Sequence, residues 1–312
     1  MISKALVIGA SGGMGYALVK ELISRGVEVV AFAKSEQKLT SLYKHEAKIK
    51  IATGDALIVQ DLLKAAEGVD VIFNAISFPY QEWKEKHPRC VDNIISVALN
   101  CNAKIAHVDN IYAYGKQAKR RVSESATKEP HTKKGKIRLT LEEKLLNSPV
   151  PSLIVHFPDL YGPNANNTIL HETLKSVANQ KNSRFVGKLD VRREFLYTLD
   201  GAKAMVELAL RQHTYDQNWN IPASHPITGE ELISLFRDEI GYKGKIQTVS
   251  KGMIQLLALF SSGMREFLEM MYLTESPVIL NGDKYEANIG NIPKTPYKEG
   301  LKQTLAWMKS AS

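Results

Sequence analysis

The chain has 312 residues, 44% of them hydrophobic and 24% charged, a balance that supports a packed core and excludes disorder, a collagen-like repeat or a coiled coil. Cys90 and Cys101 are its only cysteines; without CxxC or Cys/His spacing they suggest neither a disulfide framework nor a zinc site, so no metal is expected and a reducing, cytoplasmic setting fits best. Lys and Arg number 41 against 33 Asp and Glu, a formal charge of +8, which favours anionic partners such as nucleotide phosphates without choosing among them.

The first residues, Met1 to Ala5, lead straight into a short apolar run and then glycines, without the parts of a signal peptide. Ala5 to Ile8 reads as a strand ending at Gly9, and Tyr16 to Ser24 as a helix with Leu18, Val19, Leu22 and Ile23 on one face. Buried-strand candidates follow at Glu28 to Ala33, Ile49 to Ala52, Val69 to Phe73, Ala103 to Val108 and Pro151 to His156, mostly separated by helical stretches. Strands apolar throughout and joined by helical crossovers predict a doubly wound parallel sheet of the Rossmann kind, covered on both faces. Between Lys116 and Arg138, the residues Lys119, Arg120, Arg121, Lys128, Lys133, Lys134 and Lys136 form a basic run opposed mainly by Glu124 and Glu129; a solvated loop and helix start accounts for it, and nucleic acid is not an expected partner.

After about residue 160 the alternation loosens. A polar loop at Asn164 to Asn167 precedes a helix at Thr168 to Ala178, a strand at Phe195 to Thr198 and a helix from Asp200 to about Leu210. Helices then dominate at Gly229 to Gly241, Lys251 to Tyr272 and Tyr297 to Lys309. The expected division is a dinucleotide-binding domain at 1–160, with 190–215 returning to it, and a smaller, mostly helical substrate lobe at 161–189 and 216–312. Met253, Met264, Met270 and Met271 are expected to pack inside that lobe. No apolar run approaches the roughly 18 residues a membrane span requires.

Val7-Ile8-Gly9-Ala10-Ser11-Gly12-Gly13-Met14-Gly15 sets Gly9, Gly12 and Gly15 three apart between a strand and a helix. Gly9 permits the tight turn, Gly12 lets backbone approach a pyrophosphate, Gly15 allows close helix packing, and unpaired N–H groups at the helix start attract the anion. Ser11, Gly13 and Met14 complete this loop. An acidic residue usually ends the second strand when the 2′-hydroxyl of NAD is held. Here Lys34 follows Ala33, which suits a 2′-phosphate, so NADP is preferred and NAD remains an alternative.

The first-turn glycines, Gly54-Asp55, Asn74-Ala75, Tyr114-Gly115, Tyr161-Gly162-Pro163, Arg193 to Asp200 and Trp219-Asn220-Ile221, taken in order, resemble the extended short-chain dehydrogenase/reductases, and more narrowly the NAD-dependent epimerase/dehydratase family. The resemblance implies that Asp55 and Ala56 lie beside the adenine, Ala75 and Ile76 along the middle of the cofactor, and Phe157 and Pro158 near the nicotinamide ribose. It also implies that Arg193 holds an anionic part of a nucleotide-sugar-like substrate. Asp55 as a turn cap and Pro158 as a strand end are equally open readings.

The catalytic positions depart from that pattern. Relatives carry Ser or Thr four residues before the Tyr-Gly pair and a helical Tyr-x-x-x-Lys further on, where this chain has Asn110, Lys134 and Arg138. Lys134, set among Lys133, Lys136 and Arg138, is expected to lose some of its preference for the ammonium form and become a proton carrier. Arg138 is expected at the ribose or phosphate. Tyr112, beside the expected ligand edge, is a second candidate acid, with Asn110 orienting it; in an extended segment Lys116 would lie roughly 13 Å away. His107 and His156 read as packed strand residues. Two classes of function remain: an NAD(P)-dependent oxidoreductase or epimerase acting at a carbon bearing oxygen, which the presence of Arg193 and a second lobe favours, and a non-catalytic NAD(P)-binding sensor or interaction protein. A homodimer is compatible with either.

Overall fold

The computed structural model describes residues 2–118 and 121–310; Lys119 and Arg120 of the basic run lie outside the described residues. The chain begins β1 (Lys4–Ile8), α1 (Gly13–Ser24), β2 (Glu28–Ala33), α2 (Glu36–Tyr43), β3 (Ile49–Thr53), α3 (Val59–Ala65), β4 (Val71–Asn74), α4 (Trp83–Cys101), β5 (Lys104–Asn110), α5 (Lys133–Leu146) and β6 (Ser152–Phe157). It continues through β7 (Asp159–Tyr161), α6 (His171–Ala178), β8 (Ser183–Val186), β9 (Phe195–Tyr197), α7 (Thr198–Ala209), β10 (Gln217–Asn220), α8 (Gly229–Ile240), β11 (Ile246–Val249), α9 (Lys251–Ala258), α10 (Ser262–Leu268), α11 (Asp283–Asn288) and α12 (Tyr297–Ser310).

Among the described residues, a seven-stranded sheet runs β10-β6-β5-β4-β1-β2-β3 with every pairing parallel. Its apolar strands serve two cores. Ala5, Val7, Val29, Ala31 and Phe73 face α1 and α7, whereas Leu6, Ile8, Val30, Phe32 and Ile72 face the side of α3, α4 and α5. Alternate residues of a strand point to opposite faces, so a sheet covered on both sides needs apolar residues at every position. The doubly wound fold follows.

A third core joins Leu174 and Val177 of α6, Leu232 and Phe236 of α8, and Leu301 and Leu305 of α12. Strand β9 lies between two cores, with Phe195 and Tyr197 in this one and Leu196 in the first.

Two expectations about the second lobe need correction. The segment expected to leave the first domain at residue 216 instead forms β10, the edge strand beside β6, and Trp219 is buried in the first core. The helix expected over Lys251 to Tyr272 is broken into α9 and α10, because the Ser261 side chain accepts from Met264 N and starts a new helix. Met270 and Met271 are buried as expected, but Met253 is 46% exposed. No helix among the described residues is long and apolar enough to cross a membrane.

Candidate active site at the carboxyl edge of the sheet

Gly9, Lys34, Asp55, Ala75, Asn110 and Pro158 each end or closely follow a strand of the large sheet, so parallel pairing gathers them at one edge. At the first turn, Gly9 has φ +82° and a Cβ there would lie 2.8 Å from Ala75 O and 2.9 Å from Ile76 Cα. The backbone of Ala75 and Ile76 therefore packs directly on the turn. A Cβ on Gly15 would meet Gly9 O at 2.1 Å, and one on Gly13 would meet Ala165 Cα at 2.6 Å. Gly12 differs: it is exposed, and a Cβ would meet only Gly9 O, at 3.4 Å. It caps α1 without a side-chain hydrogen bond, and the first turn holds no acidic residue, so the N–H groups at the helix start remain suited to an anion. Met14 is buried beneath the turn, and Ser11 O accepts from Asn164 Nδ2 at 3.1 Å.

Lys34 stands where the sequence puts it, but with a partner. Its ammonium lies 2.9 Å from Asp55 Oδ2, with 58% of the lysine side chain and 29% of the aspartate side chain exposed. Burial raises the Asp55 carboxyl, yet Lys34 and the Leu57 N–H bring it below its usual range. Asp55 Oδ1 also accepts from Leu57 N at 3.0 Å, so the aspartate caps a turn as well. Ala56 is buried.

At the end of β5 the chain turns tightly through Ile111–Tyr114 instead of remaining extended. Asn110 Oδ1 accepts from Tyr112 N at 2.9 Å, and the Tyr112 hydroxyl lies 2.7 Å from that of Tyr80. Trp83 stacks on Tyr112, and the Arg138 guanidinium lies 4.4 Å from the Trp83 ring centre. Arg138 Nη1 is 3.4 Å from Asp109 Oδ1. Burial pushes the Tyr80 hydroxyl up to about 12 and, with Tyr80 and Asp159 adding to it, pushes Tyr112 well above its ordinary range. Both phenols thus stand protonated at neutral pH.

Lys134 is not surrounded by cations. Lys133 and Lys136 are exposed, while Lys134 is 2% exposed and turns inward to carboxylates of α10 and its end: it pairs with Glu266, and Glu269 Oε1 is 3.2 Å from its ammonium. The cationic surroundings on which its expected role as a proton carrier rested are thus replaced by two carboxylates. Lys128 also turns inward from the basic run. It pairs with Glu142, whose Oε2 lies 3.1 Å from His156 Nε2. Asp109, Glu142 and His156 bring ligand atoms within 4.8 Å of one another, and the cation at Glu142 is this lysine. His107 is buried, with Nδ1 2.9 Å from Asn74 Nδ2.

Phe157 and Pro158 are buried at the end of β6. Arg193, expected to meet an anionic substrate, is 3% exposed. It donates from Nη1 to Val186 O at 2.8 Å and from Nη2 to Asp159 Oδ2 at 3.3 Å. Tyr80, Asp159, Glu266 and Glu269 escaped the sequence reading. Asp159 directly follows Phe157-Pro158 and had a local signal; the two glutamates lie more than a hundred residues from Lys134 and had none.

The parallel sheet, its glycine turn and the polar groups along its carboxyl edge define a nucleotide-binding protein with the extended short-chain dehydrogenase/reductase fold. Over residues 5–221 the chain matches the NAD dependent epimerase/dehydratase family, and it belongs to that family of enzymes; the match ends just after β10. The Bacillus subtilis protein YtcB, described as an uncharacterized UDP-glucose epimerase, is 26% identical over 275 residues, covering 80% of this chain and 85% of that one. UDP-glucuronic acid 4-epimerase from Bacillus cereus, solved with NAD, superposes with a TM-score of 0.79 at 17% identity over 99% of each chain. The dTDP-glucose 4,6-dehydratase DesIV from Streptomyces venezuelae, solved with NAD and TYD, gives 0.78 at 17% identity over 98% of this chain and 97% of its own.

Proposed function

We propose that the protein transfers a hydride between a nicotinamide dinucleotide and a carbon bearing oxygen in a sugar-like small molecule, as net oxidoreduction or as the transient oxidation of an epimerisation. The observation that carries this reading is the uncapped start of α1 beside an open Gly12, a cradle that fits a pyrophosphate. Gly9 to Gly15 would hold that group, Asp55 and Ala56 the adenine end, Ala75 and Ile76 the middle, and Arg138, Phe157 and Pro158 the nicotinamide ribose. When bound, the cofactor supplies the hydride acceptor and donor.

Tyr112 is the proposed proton donor at the substrate oxygen. Its hydroxyl is neutral and paired with that of Tyr80, so it is better suited to donate a hydrogen bond or proton than to act as a resting base. Asn110 fixes the turn that carries Tyr112. Lys134 contributes by keeping α10 against this edge through Glu266 and Glu269.

NADP preference is the finer part of the proposal. A 2′-phosphate would compete with Asp55 for Lys34, and an exposed ion pair of this kind contributes little, about 0–1 kcal/mol. Titration of NADPH and NADH by fluorescence should show tighter NADPH binding, with the preference shrinking about tenfold in Lys34→Ala. Equal affinities in the wild type would remove the preference.

A further inference from the structure

The structure gives Arg193 a partner that its expected role does not allow for. Strands β7 and β9 pair in parallel with Asp159 opposite Phe195, so backbone hydrogen bonding fixes Asp159 close to the residues that follow Arg193. The guanidinium is closed in on its other sides: Nη1 is taken by Val186 O, and the rings of Phe185 and Phe195 have their centres 5.6 and 4.9 Å away. Asp159 is the open member of the pair, with 26% of its side chain exposed against 4% for Arg193. Among the described residues, Asp159 Oδ1 accepts no hydrogen bond. The charge of Asp159 acts on the Tyr80 and Tyr112 hydroxyls at the carboxyl edge of the sheet, so a ligand at that edge meets its carboxylate before the nearly closed-off arginine.

We propose that Asp159 neutralises Arg193 and sets the substrate class, so that this part of the sheet edge takes an uncharged, hydroxyl-bearing group and disfavours the diphosphate of a nucleoside diphosphate sugar. A substrate hydroxyl donates a hydrogen bond to Oδ1, an arrangement open to a sugar or polyol, whereas a diphosphate brings like charge against the same oxygen and cannot share the guanidinium without displacing it. Burial raises the Asp159 carboxyl while Arg193 opposes the rise. The inference rests on the reaction class proposed above, and it narrows what that reaction acts on.

The test is calorimetric titration with UDP into the wild type, Asp159→Asn and the double variant Asp159→Asn/Arg193→Met, with NADH binding followed by fluorescence on each protein. UDP should bind the wild type weakly, at millimolar concentrations or above. Asp159→Asn should tighten it at least tenfold, and loss of that gain in the double variant would show that it runs through Arg193. Asp159→Ser serves the same purpose should the asparagine variant fail to fold. Micromolar UDP binding by the wild type, or unchanged affinity in a folded Asp159 variant, overturns the inference. Failure of the wild type to bind NADH would instead contradict the proposed function, and the UDP series would still decide the role of Asp159.

Discussion

The glycines of the first turn divide their roles. Gly15 is a packing requirement, since even a methyl group would fall 2.1 Å from Gly9 O, and the backbone on both sides belongs to the core. Gly15→Ala should therefore destabilise the fold by about 1–3 kcal/mol, measured as a lower urea midpoint without any cofactor present. The glycine spacing and the ordering of the motifs along the chain were legible because each depends on a few neighbouring residues. The hydroxyl pair of Tyr80 and Tyr112, the Asp159–Arg193 pair and the Lys134 clamp were not, because each joins residues at least about thirty positions apart. Lys134 shows the consequence: its sequence neighbours are cations, but its spatial neighbours are Glu266 and Glu269.

Helix α10 is held to α5 by that clamp. Its own burial is slight, with no fully buried residue among Ser262–Leu268, and the preceding helix turns Met253, Leu256 and Leu257 outward, with Phe260 beyond it 86% exposed. Met264, Phe267 and Leu268 pack only partly buried against Val249, Ile254 and Met271, so Glu266 and Glu269 carry a share of the attachment. Both carboxylates retain partial solvent contact, 30% and 22%, which moderates the cost of removing their cation. Lys134→Met should destabilise the protein by about 1–2 kcal/mol and speed amide hydrogen exchange across residues 259–274 while leaving the large sheet protected. Uniform loss of protection would mean that the clamp holds the whole fold instead. The helical periodicity over Lys251 to Tyr272 did not mark the break between the helices, since periodicity reports a face and not a stop; Ser261, a helix-starting residue inside the stretch, was the available signal.

At the scale of the molecule, the strands were legible because a sheet covered on both faces is apolar at every position. The edge strand β10 was less so, because three residues of Gln217-Asn218-Trp219-Asn220 are polar. Part of that polarity belongs to a buried network, in which Asn218 Nδ2 donates to Glu142 Oε1 at 2.7 Å beside Lys128 and His156. Burial raises the Glu142 carboxyl, but its bond to His156 and the charges of His156 and Lys128 prevail and hold it at about 2. A carboxyl lowered on folding stabilises above its unfolded value of roughly 4.5, and that contribution is lost as pH falls toward 2. The loss should be on the order of 3 kcal/mol. Urea midpoints of the wild type should fall through this window more steeply than those of Glu142→Gln; parallel curves would place the acid sensitivity elsewhere.

In the proposed function a dinucleotide lies over the first turn, with its pyrophosphate against Gly12 and the start of α1. Gly12 is the position that separates binding from folding, because it is exposed and a Cβ there would meet only Gly9 O, at the ordinary contact distance of 3.4 Å. The direct measurement is fluorescence titration of NADH and NADPH into the wild type and Gly12→Val, alongside their thermal melts. In the variant the melting temperature should stay close to that of the wild type, and affinity for both cofactors should fall at least tenfold. Unchanged affinity in a folded Gly12→Val protein would contradict it.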